Sequence, residues 1–188
     1  VGCQFVIIDS DEFSFSLQGY DVNKLVVIDP TLGYSTYIGG SDNDYGKGMA
    51  LDGNGNVYLI GSSIDSTMDY PTTTGVYDVT HNGAYDVVVT KLNSSGSSLA
   101  FSTFLGGSGS DIGNDISIDS KGNSFIVGKT ADSIIDFPVT STAYDTTHNG
   151  LDDVFVAKLD PSGSSLIYST FLGGSSNDIG TGITADPN

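Results

Sequence analysis

Asp44, Asp111 and Asp178 stand 67 residues apart, each inside the phrase GGSxxDxG. A carboxylate at a glycine-rich corner has two uses. It can coordinate a hard cation, which takes oxygen ligands. On that reading these three aspartates are the candidate metal ligands, and calcium, where bound, acts structurally. It can instead accept hydrogen bonds from the backbone amides of its own corner. Recurrence in every repeat favours the second use, because a functional site usually breaks the symmetry of an array.

Other chemistry-bearing residues recur in the same way. His81 and His148 both fall in THNG, near Asp78, Asp145 and Asp152. Imidazole with carboxylates is a transition-metal set, but one histidine per repeat in turn-forming sequence favours a turn. DGNGN at 52–56 resembles the start of a calcium loop, yet Val57 stands where that loop needs glycine and Ser63 where it needs an acid. A hairpin turn is expected there. Lys91 and Lys158 sit in apolar stretches and are expected to pair with a repeat aspartate rather than act in catalysis. Aromatic and proline residues cluster between the apolar stretches: Tyr70, Pro71, Tyr77 and His81, then Phe137, Pro138, Tyr144 and His148. They make a candidate interaction loop for peptides or carbohydrate, or they pin that loop to the body of the protein. Asn93 opens an NSS glycosylation sequon. No phrase places a nucleophile beside a base. The chain is therefore expected not to be an enzyme, and no catalytic or cofactor-binding residue is assigned.

Bulk charge narrows the partners. Six lysines, no arginine and 23 acids leave a net charge of −17. Phosphate backbones need clustered cations, so nucleic acid is excluded, and anionic membrane surfaces with it. No apolar run is long enough to span a bilayer as a helix. Protein partners or self-association, outside the cell or on its surface, are expected. All but one of the acids are aspartate, which favours turns and caps over helix interiors. Cys3 is the lone cysteine, so no internal disulfide forms. Without an initiator Met the chain reads as processed or excised.

The repeat supplies the elements. Residues 34–100 align with 101–167 without gaps, 32 of 67 positions being identical, and 168–188 begin a third copy. Residues 1–33 fall outside the register as a leader, expected to be the end of a preceding β segment, and Leu25–Ile38 could supply a strand that completes a blade. Each repeat holds four expected strands: 46–52, 56–63, 86–92 and 98–105, then 113–119, 123–130, 153–159 and 165–172. GNGN, SKGN, NSSGS and DPSGS make tight turns. A connection of 22 residues separates the second and third strands. Strands such as VYLI and DVFVAKL are apolar on both sides, whereas a sheet with one wet face alternates. Each sheet must be covered on both faces. A repeated four-stranded unit sandwiched between its copies is an all-β propeller blade of antiparallel strands.

YSTFLGGSSNDIG, DGNGNVYLIGSS and DFPVTSTAYDTTHNGLDDVFVAKLDPSGSSLIYST closely resemble the SBBP beta-propeller repeat of bacteria and archaea, over residues 19–188. The resemblance implies a secreted or surface scaffold and interaction module, with no catalytic residues to carry over. It also implies that two and a third blades do not close a ring. Either the chain belongs to something longer or copies associate, as an oligomer or filament that completes blades across chains. A third implication is an accessory domain of a larger secreted enzyme.

Overall fold

Residues 2–9, 12–18, 32–131 and 136–186 are described by a computed structural model, and among them only strands, turns and irregular segments occur. Contacts divide the chain into two units, Val1–Leu32 and Gly33–Asn188. The first holds an antiparallel hairpin, β1 (Gly2–Asp9) and β2 (Glu12–Gln18), in register Phe5↔Phe15. Its second strand alternates apolar and polar residues, the period of a pleated strand. This hairpin was not among the expected strands. Residues 25–31 of the segment expected to complete a blade lie outside the described residues, and 32–40 have no regular secondary structure.

The second unit contains two four-stranded antiparallel sheets. Blade 1 is β3 (Asp44–Leu51), β4 (Val57–Ser63), β5 (Asp86–Leu92) and β6 (Leu99–Leu105). Blade 2 is β7 (Asp111–Ile118), β8 (Ser124–Thr130), β9 (Asp153–Leu159) and β10 (Leu166–Leu172). Each strand pairs with the next in sequence, so each blade is a simple meander. β3 starts two residues before the expected Gly46 because Asp44 still pairs with Ser63. Both inner strands bulge near their first glycine, between Gly46 and Gly48 and between Gly113 and Asp115, which adds local twist.

The β3–β4 and β7–β8 turns close by carboxylate chemistry. Asp52 Oδ1 accepts from the amides of Asn54 and Asn56 at 2.9 and 3.0 Å, and Asp119 Oδ1 accepts from Lys121 and Asn123 at 3.0 and 2.9 Å. Gly55 and Gly122 supply the positive φ, 78° and 84°. The DGNGN phrase is a hairpin turn, as expected.

Blade 2 packs its β7 side onto blade 1. The shared core joins Tyr58, Ile60, Val87 and Leu105 of blade 1 to Ile116, Ile126, Phe155 and Phe171 of blade 2. Gly113 allows the approach: a β-carbon there would lie 2.6 Å from Ile60 and 2.8 Å from Val87. The contact recurs one repeat on, where Gly180 lies against Val127 and Val154 and its amide reaches Gly128 O. We expect Gly113→Ala to cost about 1–3 kcal/mol by overpacking the interface, whereas Gly53→Ala, with open space around it, should stay within about 0.5 kcal/mol. Urea unfolding of both variants checks this.

Not every face is covered. Met49 and Leu51 of blade 1 are 65% and 61% exposed. Their repeat partners Ile116 and Ile118 face blade 1 in the shared core. Over the outer half of the same blade 1 face, Ile38 packs on Tyr70, Val88 and Phe104. That face is also more hydroxylic than its counterpart. Tyr70 and Thr90 replace Phe137 and Ala157, and Thr90 Oγ1 hydrogen-bonds Ser102 Oγ at 2.8 Å.

Candidate functional site

The recurring polar residues gather where one blade meets the next. The end of the long connection runs beside the corner after β6: Ala84 N donates to Gly109 O and Asp111 N to Tyr85 O, both at 2.7 Å, and Tyr85 and Ser110 form a parallel bridge. This brings Asp86, first residue of β5, beside Asp111, first residue of β7. The second junction repeats it, with Asp178 N donating to Asp152 O at 2.7 Å and Asp153 in the place of Asp86.

The three candidate metal ligands cap corners. Asp44 Oδ2 accepts from Gly40 N at 2.8 Å and its Oδ1 from the Ser63 hydroxyl at 2.5 Å. Asp111 Oδ2 accepts from Gly107 N at 2.8 Å, and Asp178 Oδ2 from Gly174 N at 2.7 Å. Each serves its own GGS corner, so the three do not converge on one ion. Among the described residues no group of three His, Cys, Asp or Glu side chains is arranged to hold a metal.

The residues that sequence reasoning passed over are Asp86 and Asp153. Both are fully buried, and Oδ2 of each carboxylate accepts from a backbone amide, Asn82 and Asn149 respectively, at 2.8 Å. Oδ1 of each has no hydrogen-bond partner. Burial pushes the Asp86 carboxyl up to about 6, against the pull of the Asn82 and Gly83 amides and with a further push from Asp78 and Asp136. The available signal was the aspartate opening DVVV and DVFV in both repeats. An acid directly ahead of a doubly apolar strand is carried into the interior with it.

The expected interaction loop splits in two. Tyr70 and Phe137 are buried against Phe104 and Phe155 at ring separations of 5.5 and 4.6 Å. His81 and His148 stand edge-on to Phe104 and Phe171 at 5.9 and 5.8 Å, and His148 Nε2 lies 3.2 Å from Thr130 O. Pro71 and Pro138 are half-buried beside the buried rings. These six residues therefore pin the connection to the blade. The connection also runs along the outer edge of its own sheet: Thr73 N donates to Ser102 O and Phe104 N to Asp78 O, with Thr140–Ser169 and Phe171–Asp145 as copies. That covers an edge strand otherwise open to pairing. Only the rings of Tyr77 and Tyr144 reach solvent, Tyr144 at 89% exposure. Tyr77 N also donates to Gly163 O of blade 2 at 2.7 Å.

The lysines pair with turn aspartates. Lys91 reaches Asp52 at 3.5 Å beneath the Tyr58 ring, and Lys158 reaches Asp119 at 3.3 Å beneath the Phe125 ring. Partial burial raises the Asp119 carboxyl, but hydrogen bonds from Asn123 and Lys158 outweigh it and hold the group down at about 2. Asn93 lies in the β5–β6 turn, donating to Ser97 Oγ at 3.1 Å.

A tandem meander whose corners, glycines and interblade bonds recur every 67 residues is matched by one family model. The SBBP beta-propeller repeat matches residues 33–66 and 100–136. The chain is similar to the SBBP beta-propeller repeat over these two segments. Each match starts ahead of its GGS corner, the second within β6, and runs through the inner strand and its hairpin partner. A comparison with curated proteins finds no match. The blades form a tandem repeat, with two open-ended sheets rather than a closed ring among the described residues.

Proposed function

We propose that the chain is a non-catalytic scaffold and interaction module, extracellular or displayed on a cell surface, that binds protein partners through its open blade face. One observation carries the reading. The face that blade 2 buries against blade 1 recurs on blade 1 with Met49 and Leu51 exposed. An apolar face already shaped to receive a blade is a docking surface for another of the same kind. The repeated aspartates, lysines and histidines support a scaffold, since they serve turns, corners and ring contacts. The strongly acidic composition supports a life outside the cell and away from nucleic acid.

Self-association is the reading that the Met49 and Leu51 face favours in particular. A head-to-tail contact that does not close grows with concentration. Sedimentation of the full chain should show mass rising with concentration, and Met49→Asp combined with Leu51→Asp should hold the protein at one chain. A wild-type chain that stays monomeric across the range sinks self-association. Failure of the open face to capture a purified SBBP blade pair sinks the docking role as well.

A further inference from the structure

We infer that each blade junction binds one hard divalent cation of the calcium class, held by Asp86 at the first junction and by Asp153 at the second. The argument begins with an unmet need. Asp86 and Asp153 are fully buried, and each presents a carboxylate oxygen without a hydrogen-bond partner. A buried carboxylate is costly unless something positive or proton-donating faces it.

The lone oxygen faces other oxygens. The point where a β-carbon on Gly106 would stand is 2.8 Å from Asp86 Oδ1 and 2.8 Å from Asp111 Oδ2. The corresponding point on Gly83 meets Gly109 O, and lies 2.7 Å from Gly107 O and 3.1 Å from Asp86 Oδ1. Two carboxylates and backbone carbonyls thus converge around glycines that keep the space free of side chains. The second junction shares the carbonyls and the buried carboxylate. The Gly150 point is 2.6 Å from Gly174 O and 2.5 Å from Ser176 O, and the Gly173 point meets Asp153 Oδ1. Carboxylate plus backbone carbonyl is the donor set of calcium, which tolerates irregular geometry.

Three of the lysines are held elsewhere. Lys91 and Lys158 serve the hairpin turns, and Lys129 pairs with Asp152. At the first junction the positions matching Lys129 and Asp152 are Ser62 and Tyr85. Asp78 and Asp136 add negative field around Asp86. The GGS aspartates considered from the sequence supply only half of this arrangement.

The test is calorimetric titration of the full chain with calcium chloride at pH 7.5 after chelator treatment. Two ions per chain are expected, with affinity within the roughly millimolar-or-tighter range of extracellular calcium modules. The melting midpoint should rise in calcium over chelator. Asp86→Asn combined with Asp153→Asn keeps the shape of both side chains and should weaken uptake at least about tenfold. Its circular dichroism in chelator should match that of the wild type. Terbium emission excited through tyrosine gives a second readout on the wild type, and calcium should displace it. No heat up to about 10 mM calcium overturns the proposal and leaves a shared proton as what neutralises the junction. Uptake that survives in the double variant overturns it too.

Discussion

In chelator at pH 7.5, Asp86→Asn melts several degrees above the wild type. The folded protein holds this carboxyl at about 6, from a usual value of 3.8, chiefly because it is buried. A raised acid favours the protonated form in the fold. Its ionisation above about pH 6 therefore weakens folding, by up to about 3 kcal/mol for a shift of this size. The amide retains the acceptor for Asn82 N and removes the charge, so the variant should regain most of that energy. The sign gives the pH dependence. From neutrality down through about pH 6 the wild type gains stability as Asp86 takes up its proton, and this gain levels off near the unfolded value. Asp119, held at about 2 by Asn123 and Lys158, acts oppositely: its contribution is present above its unfolded value and is lost as pH falls through the folded value. Stability in chelator should therefore peak at about pH 4. Thermal melts of both proteins from pH 3 to 8 check this. A variant no more stable than the wild type at pH 7.5, or a gap as wide at pH 4 as at pH 7.5, contradicts it.

Phe155→Ala should lower stability by about 3–5 kcal/mol, the range for removing a buried aromatic ring. Phe155 is fully buried in the core shared by the two blades, with its ring 4.6 Å from that of Phe137 and close over Gly128. The cavity would open between blades, where both sheets would have to shift to close it. Blade 1 provides an internal control, because Val88 occupies the matching position. Phe155→Val should fall between alanine and wild type in urea unfolding. An alanine variant within about 1 kcal/mol of wild type would show that the interblade core does not stabilise the fold as argued.

Much of this was legible in the sequence because it is local. Turn chemistry needs only a few neighbours: Asp52 reaches Asn54 and Asn56, and Asp119 reaches Lys121 and Asn123. Strands follow from runs of apolar β-formers between such turns, so the eight blade strands lie within two residues of expectation. Stacking follows from β5, buried along nearly all its length on both faces. The pairing of lysine with aspartate followed from the awkwardness of a charge among apolar residues. The leader was read as β segment, but its two strands were not placed, because nothing in the repeat register points to them.

The loop and the junction were not legible in the same way. The aromatics at 70, 77, 137 and 144 look alike as text, yet two lie in the core and Tyr144 stands in solvent. What separates them is whether the connection folds back along its own sheet edge, as the Thr73 and Thr140 bonds show. The same holds for the carboxylates. Asp44 and Asp111 occupy one sequence position, but only Asp111 meets an Asp86. The sequence by itself determined the period, the strands, the turns and the need for a blade on each side, because these arise from side-chain type over a span of a few residues. Only the tertiary structure decided which aspartates face each other, because that depends on the corner after β6 closing over the head of β5, some twenty-five residues away along the chain.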